Sequence, residues 1–222
     1  MSALPETLEL ETGAAPDAAV LWLHGLGADG HDFEPVVPML GLPASLALRF
    51  VFPHAPVRPV TINMGMAMRA WYDILQLGGS GPEDEDGIRA SQRLLEGLIA
   101  REQARGIDAS RIVLAGFSQG GAIVLQTGLR HATRLGGILA LSTYLPLAKT
   151  LADERHRANF EAPIFMAHGT MDDLIPVSWA EASRDALKAI GYPVEWHAYP
   201  MGHAVCPEEI EAIGKWLSRL LG

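Results

Sequence analysis

The chain reads as an α/β protein, a mostly parallel central sheet flanked by helices, in one domain spanning residues 1–222. Three observations carry this. Short apolar runs without alternation recur at Ala18–Leu23, Leu46–Phe52, Gly136–Ser142 and Pro163–His168, as strands covered on both faces require. Longer segments with helical periodicity separate several of them. The run Arg111-Ile-Val-Leu-Ala leads directly into Gly116-Phe-Ser-Gln-Gly120 and then an apolar, helix-like stretch. At 222 residues with 49% hydrophobic content, one sizeable core is expected, and two domains would be cramped.

The Gly116–Gly120 stretch is the pivot of the reading. A serine on a sharp strand-to-helix turn needs neighbours without bulk, so that the backbone can bend and the hydroxyl stand clear. Ser118 is therefore the candidate nucleophile, and the N–H of Gln119, the residue after it, a candidate oxyanion donor.

Taken in order, residues 1–16 form a polar or edge-strand lead-in to the strand Ala18–Leu23. His24-Gly-Leu-Gly-Ala-Asp-Gly30 follows, a glycine-rich loop whose N–H groups can converge on a developing negative charge. Leu26 N–H is the expected second oxyanion donor. His24 precedes the serine, against the order Ser, acid, His of such folds, so it is expected to shape the loop through its ring N–H. Asp32–Leu40 is expected to be helical. Leu46–Phe52 is the next strand.

Pro53 to Asp86 is the longest irregular stretch, and it carries Met64, Met66, Met68, Trp71, Tyr72, Ile74, Leu75 and Leu77. Together they suit an adaptable apolar wall beside Ser118, although any single one also serves simply to pack the segment onto the sheet. Glu83-Asp-Glu-Asp86 opens a helix running to about Arg105, its acids offsetting the helix dipole. The run lacks the spacing of a calcium loop.

Residues 143–162 leave room for a short helix and turn but not for a cap domain, so a shallow, open site is expected. After the strand Pro163–His168, Asp172 and Asp173 both lie where an acid orienting the base belongs, and spacing does not separate them. Ser178–Ile190 reads as a helix with Trp179, Ala182, Ala186, Leu187 and Ile190 on one side. Val194–Tyr199 alternates as a strand. His203 then falls in a glycine-containing loop before the last helix, Pro207–Leu221, where the catalytic imidazole of this chain order belongs.

Composition bounds the partners. A net charge of −9 argues against nucleic acid and against anchoring to anionic lipid. The start of the chain has no basic segment followed by an apolar core, and no apolar run approaches membrane-spanning length, so a cytoplasmic location is the default. The single cysteine, Cys206, excludes an internal disulfide and a cysteine-based metal cluster. No metal or organic cofactor is expected. Apolar residues near the mouth of the site suit a homodimer or a membrane-bound substrate equally.

Gly116-Phe-Ser-Gln-Gly-Gly121, His24-Gly-Leu-Gly-Ala-Asp-Gly-His31, Pro53-His-Ala-Pro-Val-Arg-Pro-Val-Thr61, Trp71-Tyr-Asp73 and His168-Gly-Thr-Met-Asp172 together give a chain that resembles the bacterial carboxylesterase and acyl-protein thioesterase family, from about Val20 to Leu220. The resemblance implies an α/β-hydrolase fold and a triad of Ser118, Asp172 and His203, selecting Asp172 over Asp173. It also implies a Leu26 and Gln119 oxyanion hole and an acyl pocket near Leu75 and Leu77. With Trp71 from the apolar segment, these two leucines make up the expected substrate-binding set. The expected activity is serine-dependent hydrolysis of short- to medium-chain acyl esters. Action on long-chain acyl groups, as a thioesterase or lysophospholipase, is the alternative, and a non-catalytic binding module is the rival outside enzymes. The stretch Ile74–Pro82 varies within the family and bears on chain-length preference.

Overall fold

The computed structural model describes residues 4–76 and 81–222. Its strands are β1 (Thr7–Glu11), β2 (Ala18–Leu23), β3 (Leu48–Pro53), β4 (Val57–Val60), β5 (Met66–Arg69), β6 (Ile112–Phe117), β7 (Gly137–Leu141), β8 (Ile164–Gly169) and β9 (Val194–Tyr199). The helices are α1 (Glu85–Ala104), α2 (Gln119–Arg130), α3 (Leu151–Glu154), α4 (Val177–Ala189) and α5 (Pro207–Leu221).

Seven strands form one sheet in the order β1-β3-β2-β6-β7-β8-β9. All neighbours are parallel except β1, which runs antiparallel to β3. The apolar runs of β2, β6, β7 and β8 lack alternation because both faces of the sheet are covered. One face packs on α1, α2 and Leu187 of α4. The other packs on α5 and on the 3-10 turns of Glu34–Leu40. The helix α2 lies deepest, with every residue from Gln119 to Leu129 buried.

This topology decides where a site can form. β2 lies between β3 and β6, so the chain leaves β2 for one side of the sheet and later returns on the other. The loops after β2 and β6 therefore part at a switch point, where a crevice opens at the carboxyl ends of the strands. Leu23 pairs with Gly116, which sets the glycine loop beside the Ser118 turn.

Four expectations require correction. Asp32–Leu40 is not an α-helix but 3-10 turns over Glu34–Leu40, where Pro38 lacks the N–H that an α-helical ladder would use. The irregular segment after Pro53 contains the antiparallel hairpin β4–β5, with Val57 opposite Arg69. Each strand has only four residues and β4 contains Pro59, too short and too interrupted for a period to show. In α4 the buried positions are Ala180, Ser183 and Leu187, while Ala182 and Ala186 face solvent. There the inward face includes a serine, whose hydroxyl accepts from Leu145 N–H at 2.9 Å. The expected shallow site is instead a groove of about 800 Å³, lined by residues of 72–76, 81–85 and 144–150 without a cap.

Candidate active site

Ser118 stands at the N-terminus of α2 with φ 55° and ψ −118°, a backbone conformation that side-chain-bearing residues seldom adopt. Its surroundings hold it there. Ser118 N–H donates to Leu141 O at 2.8 Å, and Ser118 O accepts from Ala122 N–H at 3.1 Å and from Thr143 Oγ1 at 2.7 Å. The flanking glycines are required by contact. A Cβ on Gly116 would lie 2.4 Å from the Gly120 backbone, and one on Gly120 would lie 2.4 Å from Leu23 O.

His203 Nε2 is 2.9 Å from Ser118 Oγ, and His203 Nδ1 is 2.7 Å from Asp172 Oδ2. Since β7 separates β6 from β8, the histidine must reach back across the sheet edge. Its loop does so by folding over the end of β8: Thr170 N–H donates to Tyr199 O at 2.8 Å and Met171 N–H to Met201 O at 3.0 Å. Gly169 permits the crossing, because a Cβ there would fall 2.3 Å from the carbonyls of Met201 and Gly202. The Phe117 ring packs against the imidazole with centroids 4.8 Å apart.

Asp172 is buried, and its Oδ1 accepts from Leu174 N–H at 3.0 Å and Ile175 N–H at 2.9 Å. Those bonds leave Oδ2 aimed at His203. Asp173 is exposed and takes no part. Sequence reasoning passed over His168, which is fully buried, with Nε2 2.8 Å from Ile175 O and 3.3 Å from Asp172 Oδ2. Burial pushes its pKa down, so it packs as a neutral ring against the acid. Its place four residues before Asp172 was the available signal.

The loop after β2 closes against the serine: a Cβ on Gly25 would be 3.4 Å from Ser118 Cβ. Leu26 and Gln119 both line the groove, and among the described residues neither backbone N–H donates to a protein acceptor. His24 shapes this loop from beneath. Its Nε2 accepts from Ala55 N–H at 3.0 Å, which leaves the proton on Nδ1 to donate to Gly25 O at 2.7 Å. Burial drives its pKa down to about 4, against the opposing pull of the Gly25 bond.

Trp71 is not a substrate-binding residue by position. It is 1% exposed and absent from the groove lining, and its indole N–H donates to His24 O at 2.9 Å. Its backbone N–H donates to Gln119 Oε1 at 2.7 Å, while Gln119 Nε2 donates to Tyr72 O at 2.7 Å. The Gln119 side chain is thus clamped by the 71–72 backbone, a link between distant segments that no spacing in the chain announces. Leu75 does line the groove, with Ile62, Ile74, Leu174 and Trp179. Leu77 lies outside the described residues. Met64 and Met66, expected in the apolar wall, stand 94% and 61% exposed and are not part of it. No group of three or more metal-ligating side chains occurs among the described residues.

Residues 8–221 match the family model described as phospholipase/carboxylesterase. Acyl-protein thioesterase 1 of Gibberella zeae is 42% identical over 92% of this chain and 91% of its own length. Its namesake in Neurospora crassa is 43% identical over 92% and 87%. Among solved structures, Arabidopsis thaliana SOBER1 superposes with a TM-score of 0.87 at 32% identity, over 92% of this chain and 99% of its own. Zea mays acyl-protein thioesterase 2 gives 0.87 at 29% identity, over 98% and 100%. These relatives are fungal and plant proteins, so the bacterial part of the expected resemblance is not supported. The α/β-hydrolase fold and the hydrolase class stand, and the chain belongs to the phospholipase/carboxylesterase family.

Proposed function

We propose that this protein is a serine acyl hydrolase that cleaves long-chain acyl thioesters and esters, of the acyl-protein thioesterase kind, through an acyl-enzyme on Ser118. The observation that carries the reading is the identity above 40% to acyl-protein thioesterases over about nine-tenths of both chains. It supports this reading over the first expectation of a short- to medium-chain esterase. The groove supports it: about 800 Å³ of largely apolar space opens beside Ser118, in the upper part of the usual range for ligand sites.

The hydrogen bonds at Ser118, His203 and Asp172 support a two-stage acyl transfer. His203 Nε2 removes the Ser118 proton as Oγ attacks the acyl carbonyl, while Asp172 holds the Nδ1–H tautomer and stabilises the imidazolium. The carbonyl oxygen gathers charge, and the Leu26 and Gln119 N–H groups receive it; one such donor is worth about 10²- to 10³-fold in rate. The tetrahedral species collapses, the C–S or C–O bond breaks, and the leaving group departs with the proton returned by His203. Water activated by the same imidazole then attacks the acyl-enzyme, releasing the fatty acid and restoring Ser118.

The test is a chain-length series from butyryl to palmitoyl, as esters and thioesters side by side on the purified protein. Rising kcat/KM with chain length in the thioester series is expected. A maximum at butyryl ester with little thioester turnover would return the small-ester reading.

A further inference from the structure

The groove contains a polar feature that acyl transfer as described does not use. Tyr72 Oη and Tyr144 Oη are 2.9 Å apart, and both residues line the groove. A phenol carries a single O–H donor. When one hydroxyl donates to the other, the accepting hydroxyl keeps its own proton unspent. Neither makes any other hydrogen bond among the described residues. Tyr72 is buried, while Tyr144 is partly exposed at the groove. Trp179 packs edge-on against Tyr144 with ring centroids 6.2 Å apart, and the same groove is lined by Ile74, Leu145 and Leu147 alongside polar residues that include Asp73 and Glu83. The Glu83 carboxylate already accepts Leu147 N–H at 3.1 and 3.2 Å. Burial, ahead of the influence of Glu83, raises the pKa of both phenols, so both remain O–H donors in neutral solution. A substrate oxygen placed beside the pair can accept that proton in exchange for solvent.

The pair also stands in a fixed relation to the nucleophile. Gln119 Nε2 donates to Tyr72 O at 2.7 Å, and Thr143, adjacent to Tyr144, donates through Oγ1 to Ser118 O at 2.7 Å. One residue on each side thus ties the pair to the turn that carries Ser118.

We infer that the Tyr72–Tyr144 hydroxyl pair is a hydrogen-bond-donating subsite in the wall of the acyl groove, selecting acyl chains that carry an oxygen substituent, a hydroxyl or keto group, at one position along the chain. The inference rests on the acyl-hydrolase reading above. The fixed tie to Ser118 is what restricts the preference to one position, since the acyl carbonyl is held at the serine.

The test uses octanoyl thioesters with a hydroxyl at successive carbons, each compared with plain octanoyl on the same preparation of full-length protein. One position is expected to exceed its neighbours in kcat/KM by about tenfold, the value of one neutral hydrogen bond. The double variant Tyr72→Phe/Tyr144→Phe should flatten that peak, and Tyr144→Phe alone should lower it. Ratios within each variant cancel any general loss from poorer folding. A flat positional profile in the parent protein, or a peak that survives in either variant set, would overturn the subsite while plain octanoyl turnover left the acyl-hydrolase reading standing. Failure to hydrolyse any thioester or ester would overturn that reading, and the subsite with it.

Discussion

On the strand-end side of the groove, Ser118, Asp172 and His203 are held by short backbone hydrogen bonds and by glycines whose replacement would drive a Cβ into main-chain atoms. Along the wall of the groove, Ile62, Ile74 and Leu75 present apolar surface from loops and short turns, and Leu75 is 38% exposed. The first region leaves no slack, because proton transfer requires donor and acceptor held at hydrogen-bonding distance, about 2.6–3.2 Å between heavy atoms. The second needs only to exclude water from a chain, a non-directional task that tolerates adjustment. Substitutions in the two regions should therefore fail in different ways: abruptly among the strand-end groups, gradually along the wall.

The largest effect is expected from Ser118→Ala, which should lower turnover of a p-nitrophenyl ester by about 10⁴- to 10⁶-fold without loss of the fold, read by circular dichroism. Substantial remaining turnover would remove Ser118 as nucleophile. Gly120→Ala comes next. Its Cβ would meet Leu23 O at 2.4 Å and His24 O at 2.6 Å, pushing the glycine loop away from Ser118. A loss of about 10²-fold in kcat is expected from such a displacement, with destabilisation of about 1–3 kcal/mol in urea unfolding. Wild-type kinetics in this variant would mean that the two loops are not coupled.

Glu209 sharpens the comparison from the stability side. It sits in the first turn of α5, three residues after Cys206 in the loop that carries His203, fully buried and with neither carboxylate oxygen hydrogen-bonded. Burial pushes its pKa from 4.5 up to about 8, against the pull of the Cys206 backbone. The folded chain therefore keeps a proton that the unfolded chain releases above pH 4.5. Native stability should fall as pH rises from about 4.5 to 8 and then level off, by an amount on the order of a few kcal/mol. Glu209→Gln should lack that fall, so its urea midpoint should gain on the parent protein's between pH 4.5 and 8. Parallel pH profiles would show that Glu209 is ionised in the native state.

The smallest effect belongs to the wall. Leu75→Ala should weaken the preference for longer acyl chains by about three- to fivefold in kcat/KM, the worth of roughly one buried methylene, and leave butyryl turnover nearly unchanged. An equal loss at every chain length would place Leu75 in the reaction geometry instead.

The legible parts of this protein were those written in consecutive residues. β2, β9 and α5 fall where their apolar patterns put them, and Gly116–Gly120 could be read as a turn because its glycines answer clashes within a few residues of themselves. The hairpin β4–β5 escaped notice because four-residue strands show too little of any period. Trp71 was misjudged for a different reason. An aromatic residue in a loop looks the same in sequence whether it faces a ligand or props up a backbone, and only the contacts with His24 and Gln119 distinguish the two.

By itself the sequence determined the parallel sheet and the glycine-flanked serine turn, because burial on both faces and tight turns leave marks in local composition. Tertiary structure alone decided that His168 packs as a neutral ring against Asp172, how Gln119 is clamped, and that Trp71 props the loop after β2 instead of lining the groove. Those outcomes depend on which strands become neighbours and on how loops cross their ends. Such proximity between residues far apart in the chain has no local imprint.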